Sequence, residues 1–225
     1  MDHFAEHGWV RIPGAFTADD AAAMRDVTWR ALESVGIRRA DPSTWTKHRP
    51  DHLQHLKADP VFRAVGSVRT RAAIDEVLGG QPWAEPRDWG AFFLVFPTPG
   101  RPWSPPTSTW HLDAPYTDPL APPAGVKVHA MYGDVAPGAG AMCILDGSHR
   151  VVHRWFVDNP QPAGTPAAKL RKALLRDAGV LDLPVVENTA QAGDVIFMHP
   201  LLLHAPPTAH TGTQPRFLLN KDLRI

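Results

Sequence analysis

The first part of the chain has the apolar spacing of helices. Apolar residues up to Ile12 predict a short helix followed by a strand, which Pro13 closes. Thr17 then precedes two acidic residues and an alanine-rich stretch, an arrangement typical of a helix N-cap. Apolar side chains recur at helical spacing from there until Gly36, and a second stretch of this kind covers Val61–Leu78. The pattern predicts two amphipathic helices before the middle of the chain.

Beyond these helices the pattern changes to short apolar runs separated by proline and glycine. Ala91–Phe96 is apolar and rich in aromatic residues, which predicts a strand buried on both faces. Lys169–Ala178 is an exception, because its spacing predicts a solvated surface helix. Short strands without alternating helices favour an antiparallel sandwich or barrel. The other strand candidates are Thr109–Asp113, Gly125–Tyr132, Ala141–Leu145, Asp194–Met198 and Arg216–Asn220.

Composition narrows the classes of protein that remain. The chain has 225 residues with 23 basic and 23 acidic side chains, so its formal net charge is zero. This balance argues against general nucleic-acid binding and against attraction to an anionic membrane. Cys143 is the only cysteine, which excludes an intramolecular disulfide framework and a zinc site built from several thiolates. A metal would be held by imidazole and carboxylate, a ligand set that suits Fe, Mn, Zn or Ni.

Targeting and membrane signals are not seen in the sequence. The acidic N-terminus does not look like a signal peptide, and no apolar stretch is long enough for a membrane span. We therefore expect a cytoplasmic protein without a membrane partner.

His111 and Asp113 form the first candidate for chemistry. On a strand, residues two apart point to the same face, so this imidazole and this carboxylate would lie side by side. Together they are two of the three ligands of a 2-His-1-carboxylate triad, which leaves coordination positions open and suits Fe(II). The alternative is a histidine at a strand end that hydrogen-bonds to the aspartate.

The second histidine of such a triad is ambiguous from spacing alone. The segment from Gly193 runs through an apolar strand and contains both His199 and His204. These two histidines would lie on opposite faces of a regular strand, but Pro200 interrupts the ladder. Periodicity therefore leaves both histidines as candidates.

Arg216 is a candidate anion partner. It shares a strand face with Leu218 and Asn220. A buried arginine inside a barrel must pair with an anion, and a dicarboxylate cosubstrate would suit its bidentate fork.

These residues occur in the order of a known family. The chain resembles the phytanoyl-CoA dioxygenase-like (PhyH) family of Fe(II)/2-oxoglutarate-dependent oxygenases over nearly its whole length. Phe4–Val10 resembles the family's opening segment, and Trp110–Asp113 resembles its HxD motif. Gly133–Arg150 resembles its Gly-Ser-His hallmark. Gly193–His204 resembles the segment with the second histidine, and Arg216 resembles its arginine.

The resemblance implies a mainly β protein with flanking helices. Its core would be a double-stranded β-helix, also called a jelly roll or cupin-like barrel, with N-terminal helices packed on one side. The whole chain, 1–225, would form one oxygenase domain, in which 1–80 is the helical flank and 90–225 is the β-barrel core.

The resemblance also implies the roles of individual residues. His111, Asp113 and His204 would bind Fe(II) and form the catalytic centre, which selects His204 over His199. Arg216 would bind the far carboxylate of 2-oxoglutarate, and His129 would be a further contact to this cosubstrate. Relatives usually carry Gly-Ser or Gly-Ala after the second histidine, whereas here Ala205 and Pro206 follow it.

The implied activity is the oxidation of an unactivated C–H bond of a small organic molecule by O2, with decarboxylation of 2-oxoglutarate to succinate and CO2. Hydroxylation is the expected outcome, with desaturation, epoxidation and ring rearrangement as open alternatives, and the carboxylate of Asp113 argues against halogenation. A free small molecule of specialised metabolism is the preferred substrate. Several aromatic residues flank the metal strands and would serve either a ring-bearing ligand or the core, namely Trp89, Trp103, Tyr116 and Trp155.

Two other classes of function remain open. One is a non-redox jelly-roll metal enzyme, such as a zinc or manganese hydrolase or isomerase, which would have no need of a buried Arg216. The other is a catalytically silent binding protein of the same fold, which the intact set of ligands argues against.

Overall fold

The computed structural model describes residues 2–112, 125–160, 165 and 167–225. In this part of the chain the helices are α1 Asp2–His7, α2 Ala18–Glu33, α3 Val68–Val77, α4 Ser148–Asp158 and α5 Ala167–Asp177. The strands are β1 Trp9–Ile12, β2 Ala91–Phe92, β3 Gly125–Met131, β4 Cys143–Leu145, β5 Val185–Glu187, β6 Val195–Met198, β7 His204–Ala205 and β8 Leu218–Arg224. Short 3-10 turns cover 42–44, 54–58, 60–66 and 180–182.

Two antiparallel sheets form the β structure. The larger sheet has five strands in the order β1-β6-β3-β8-β2, and the smaller sheet has three in the order β5-β4-β7. In the centre of the larger sheet, β3 pairs with β8 from Gly125↔Arg224 to Met131↔Leu218. The mainly β architecture with flanking helices is therefore confirmed.

Alternation along the strands divides the interior into layers. On β3, Val128 and Ala130 belong to an apolar cluster shared with α2, whereas Met131 packs between the two sheets. From the smaller sheet, Ile144 joins this cluster between the sheets, and its neighbour Cys143 faces a third cluster beneath α4 and α5. Each sheet thus has one face toward helices and one face toward the other sheet.

The start of α2 agrees with the predicted N-cap. The Thr17 side chain accepts a hydrogen bond from the Asp20 backbone N–H, and the Asp20 carboxylate accepts one in return from the Thr17 N–H. This capping box satisfies two backbone donors that a helix start leaves unpaired. The predicted N-terminal helix and strand are also present, as α1 and β1.

The second predicted helix, Val61–Leu78, is wrong in its first half. Residues 60–66 form a 3-10 turn, and α3 begins only at Val68. Ser67 separates the two, since its side chain accepts from the Thr70 N–H at 3.0 Å and caps α3. Gly66 lies close under Trp89, where a Cβ would come within 2.6 Å of the indole nitrogen. Local capping therefore overrides a continuous apolar spacing.

The predicted strand Ala91–Phe96 is shorter and less buried than expected. Only Ala91–Phe92 forms a strand, which lies at the edge of the larger sheet. Phe93 is 41% exposed, because alternation turns it away from the helices, while Phe92 and Phe96 join the core. A run of apolar letters did not distinguish this edge position from a central one.

Helix α4 was not predicted from the sequence. It follows the left-handed Gly147 and buries Val152, Trp155 and Phe156 against the smaller sheet. Their spacing of three and four residues was a usable signal. Helix α5, predicted as a solvated surface helix, buries Leu170 and Leu174 in the same cluster. Within the described residues, no helix is both long and apolar enough to cross a membrane.

Candidate active site

His111 and His204 lie side by side. His204 is on β7, and it forms an antiparallel bridge with His111 through two backbone hydrogen bonds of 3.0 and 3.1 Å. The two ring centroids are 4.4 Å apart, and His204 is only 3% exposed. Directly opposed residues of an antiparallel pair point to the same face, so both rings lie on one side of the smaller sheet.

The backbone defines how each of these rings is protonated. The Nδ1 atom of His111 is 2.8 Å from the Thr109 carbonyl, and the Nδ1 atom of His204 is 3.0 Å from the Leu202 carbonyl. A carbonyl only accepts, so each Nδ1 carries the proton and each Nε2 presents its lone pair. This is the orientation that metal-binding histidines use.

Thr109 adds a local distortion before His111. Its φ is 68°, in the left-handed region that β-branched residues rarely adopt. Its carbonyl is the one that accepts the His111 Nδ1–H. The unusual backbone thus directs an acceptor toward a candidate ligand.

The carboxylate expected to complete the triad, Asp113, lies outside the described residues, as does the end of the predicted strand Thr109–Asp113. Among the residues that are described, no group of three histidine, cysteine or acidic side chains could hold a metal. The structure therefore describes two of the three predicted ligands.

His199, the competing histidine, lies elsewhere. Its ring packs 5.0 Å from the ring of His149, and its Nδ1 accepts a hydrogen bond from the Leu201 N–H. Burial, with a smaller contribution from His149, lowers the pKa of His199 to about 3. The structure brings His204, and not His199, beside His111.

Arg216 is a buried cation. It is 2% exposed, and its Nη1 donates to the Gly140 carbonyl at 2.6 Å. Its Nε has no hydrogen-bond partner among the described residues, which also provide no acidic side chain in an ion pair with it. Burial, followed by the nearby charge of Arg49, lowers the pKa of Arg216 to about 10. A cation in this environment fits a bound carboxylate.

The interior also contains the remaining predicted cosubstrate contact. His129 lies in the middle of β3, opposite Ile196 on one side and Asn220 on the other, and is 1% exposed. Alternation places it with Met131 on the face between the sheets. Arg216 precedes β8 by two residues and bridges to Val95, and Leu218 at the start of β8 packs between the sheets.

His210 is a buried residue that sequence analysis did not identify. It bridges to Ala139, is 1% exposed, and its ring lies near Gly140, whose carbonyl binds Arg216. Nothing in its spacing distinguishes it from other histidines. Of the aromatic residues considered for ligand binding, Trp89 and Trp155 are buried in apolar clusters and Trp103 packs against one, while Tyr116 lies outside the described residues.

Several solved structures share this fold, and one of them is a non-haem 2-oxoglutarate-dependent epimerase. The epimerase SnoN from nogalamycin biosynthesis has 20% identity and a TM-score of 0.63, over 99% of this chain and 80% of that one. AviO1 from Streptomyces viridochromogenes Tue57 has 19% identity and a TM-score of 0.62, over 100% and 92%. EctD from S. alaskensis has 17% identity and a TM-score of 0.59, over 99% and 75%. These likenesses confirm the jelly-roll class of fold.

The family follows from the sequence itself. Residues 4–217 match the family model of phytanoyl-CoA dioxygenase (PhyH), and the chain therefore belongs to this family. The family uses Fe(II), 2-oxoglutarate and O2, which confirms the predicted cofactors. No curated protein matches the chain.

Proposed function

We propose that the chain is an Fe(II)/2-oxoglutarate-dependent hydroxylase that oxidises an unactivated C–H bond of a small organic molecule. The observation that carries the proposal is Arg216. It is a cation that is 2% exposed and has no anion paired with it among the described residues. A protein without an anionic ligand has no use for such a residue, because an unpaired buried charge is destabilising.

The metal would be bound at the paired histidines. His111 and His204 would supply Nε2 lone pairs, since both Nδ1 atoms are engaged by backbone carbonyls. Asp113 would supply the third ligand. When bound, iron and 2-oxoglutarate supply the oxidising chemistry, in which 2-oxoglutarate becomes succinate and CO2.

The protein's own task is to orient these groups and keep the site dry. Trp110 and Leu112 flank His111 and are buried in the cluster beneath α4 and α5, which fixes the strand that carries His111. Arg216 would bind the far carboxylate of 2-oxoglutarate, and His129 would contact the same cosubstrate from β3. One domain, 1–225, would carry all these residues in the cytoplasm.

The reaction outcome is the finer part of the proposal. Similar structures carry names of different reactions, including an epimerase and a carbocyclase from nogalamycin biosynthesis and a non-haem monooxygenase. Hydroxylation of a free small molecule of specialised metabolism is the outcome we propose, with no nucleic-acid or membrane partner.

The test is a screen of small molecules that measures succinate and the oxidised product. Wild-type protein with Fe(II), O2 and 2-oxoglutarate should release succinate in step with a product that is one oxygen atom heavier. Asp113→Ala should stop this release. Turnover that does not require iron, or that proceeds with Zn(II) or Mn(II) without O2, would favour the non-redox metal enzyme instead. A product of unchanged oxygen content would retain the oxygenase class but exclude hydroxylation.

A further inference from the structure

The protonation of His210 is defined by a backbone donor. The Gly212 N–H donates to the Nδ1 atom of His210 at 3.2 Å. An Nδ1 that accepts a hydrogen bond carries no proton, so in the neutral ring the proton is on Nε2. This is the reverse of His111 and His204, whose Nδ1 atoms face carbonyls. His210 is therefore built as an Nε2–H donor.

That donor has no acceptor at hydrogen-bonding distance among the described residues. The Nε2 atom of His210 is buried without a hydrogen-bond partner, and the residue is 1% exposed. The ring is held between two glycines, because a Cβ on Gly140 would lie 2.8 Å from its Cδ2 and one on Gly212 would lie 2.9 Å from its Cε1. A buried polar group of this kind is costly unless a ligand satisfies it.

His210 and Arg216 converge on the same backbone. Arg216 donates to the Gly140 carbonyl at 2.6 Å, and Gly140 is also the residue against which the His210 ring packs. The Nε atom of Arg216 is the second buried donor here without a partner among the described residues. Burial, with a further contribution from the charge of Arg216, lowers the pKa of His210 to about 4, and the backbone of Gln214 opposes this shift. His210 thus stays neutral beside the guanidinium.

The Nε2–H of His210 and the Nε–H of Arg216 are two buried donors near Gly140, and a carboxylate has two oxygens that can accept from such donors. We propose that His210 is a cosubstrate-binding residue, and that its Nε2–H donates to the far carboxylate of 2-oxoglutarate together with Arg216. The inference rests on the proposed function. Arg216 would supply the charge and His210 would define the position of the carboxylate, so that a 2-oxo acid without this second carboxylate leaves both donors unsatisfied.

The test compares two ligands that differ only at that end. Fe(II)-loaded protein is titrated by calorimetry without O2, first with 2-oxoglutarate and then with 2-oxobutanoate, which has the same oxo-acid end but no far carboxylate. In His210→Phe, which fills the space without a donor, the Kd for 2-oxoglutarate should rise about 10- to 100-fold. The Kd for 2-oxobutanoate should not change. His210→Gln, whose amide can donate from a similar position, should recover most of the loss.

The possible results distinguish failure of the proposed function from failure of the role of His210 alone. If wild-type protein does not bind 2-oxoglutarate, the proposed function fails, and this inference fails with it. If wild-type protein binds 2-oxoglutarate and His210→Phe binds it equally well, only the role of His210 is wrong. A variant that weakens both ligands equally would also overturn that role, because it would indicate general distortion.

A measurement on unmodified protein covers the case in which His210→Phe does not fold. The 15N chemical shift of His210 Nε2 is followed in Zn(II)-loaded wild-type protein. It should move on addition of 2-oxoglutarate toward the value of a hydrogen-bonded N–H and should not move with 2-oxobutanoate. If calorimetry shows that 2-oxoglutarate binds but the 15N chemical shift of His210 Nε2 does not change, the inference is wrong.

Discussion

Two pairs of neighbouring histidines lie in the described part of this protein, each with one buried and one half-buried residue, and their ring nitrogens are engaged in opposite ways. In the pair His111 and His204, with ring centroids 4.4 Å apart, each Nδ1 meets a backbone carbonyl and each Nε2 lone pair is presented. In the pair His149 and His199, with centroids 5.0 Å apart, His199 uses its Nδ1 lone pair to accept from the Leu201 N–H.

His149 shows why the second pair does not suit a metal. Its Nε2 lies 3.1 Å from the Ala5 carbonyl and must donate to it, which leaves the lone pair on Nδ1. That atom is covered by the chain at Gly8, where a Cβ would lie 2.4 Å away. Histidines at similar distances thus differ in whether Nδ1 donates to a backbone carbonyl, as in His111 and His204, or is the nitrogen without the proton, as in His149 and His199. Distance between rings alone would not separate them.

The largest effect on activity should come from removing one histidine of the pair His111 and His204. His204→Ala should reduce 2-oxoglutarate turnover more than 100-fold, because loss of a direct ligand should exceed the ~10- to 100-fold cost of losing a group that only orients one. His199→Asn, which keeps an acceptor for the Leu201 N–H, is the matched control and should retain activity. Succinate release and iron content measure both. An active His204→Ala together with an inactive His199→Asn would reverse the comparison.

A second test concerns Arg216, the proposed carboxylate partner of the cosubstrate that would bind at His111 and His204. Arg216→Met should weaken 2-oxoglutarate binding by about 2–5 kcal/mol, since a buried charge would be lost from the carboxylate. Without cosubstrate, the same variant should unfold at higher denaturant concentration than wild type, because a buried and unpaired cation is destabilising. Calorimetry and urea unfolding give the two readings. A variant that is less stable without cosubstrate would contradict the view that Arg216 is a cation without an anionic partner among the described residues.

The His149 and His199 pair should make the fold sensitive to acid. In the unfolded chain His199 takes a proton below about pH 6.5, whereas in the folded chain its pKa is about 3. The unfolded state then binds more protons, so the free energy of unfolding falls as the pH falls from 6.5 toward 3. Between pH 7 and pH 5 the loss from His199 should be about 2 kcal/mol.

His199→Asn is again the informative variant, because it keeps the acceptor and cannot be protonated in this range. Urea unfolding at pH 7 and pH 5 should show a smaller difference for the variant than for wild type. Equal pH dependence in both proteins would show that His199 is not the acid-sensitive group. The pKa of His149 is also lowered by burial, so part of the acid sensitivity should remain.

The smallest expected effect is on stability and concerns Gly8, which packs against the His149 ring. Gly8 has φ of 80°, and Gly8→Ala would place a methyl group against the His149 ring. The left-handed conformation alone should cost about 1–2 kcal/mol of stability. Affinity for Fe(II) and for 2-oxoglutarate should not change, because His111 and His204 are elsewhere. A loss of metal affinity without loss of stability would mean that the two pairs are coupled.

Much of the fold was predictable because it follows from local patterns. The capped start of α2, the first strand and most strands of the larger sheet were predicted within a few residues. Errors occurred where tertiary contacts override local signals. Ser67 and the close packing of Gly66 against Trp89 divide the second helix, and the edge position of Ala91–Phe92 exposes Phe93.

The candidate site divides in the same way. The pattern of residues identified His111 with Asp113 as possible ligands and Arg216 as a possible anion partner, and the family resemblance selected His204 over His199. The metal-binding role of these residues stays a prediction, and the position of Asp113 lies outside the described residues. Spacing could not indicate His210, because what distinguishes it is an unsatisfied donor rather than a motif.

The sequence by itself determined the class of fold and the family, and it predicted the kind of metal ligands, because these depend on which side chains alternate along a strand and in what order they occur. The tertiary structure placed His204 beside His111, in agreement with the family resemblance, and it alone decided which ring nitrogen of each histidine carries the proton. Protonation depends on whether a carbonyl or an N–H meets the ring, and burial without a partner depends on every neighbour in space. Neither is written in the spacing of residues along the chain.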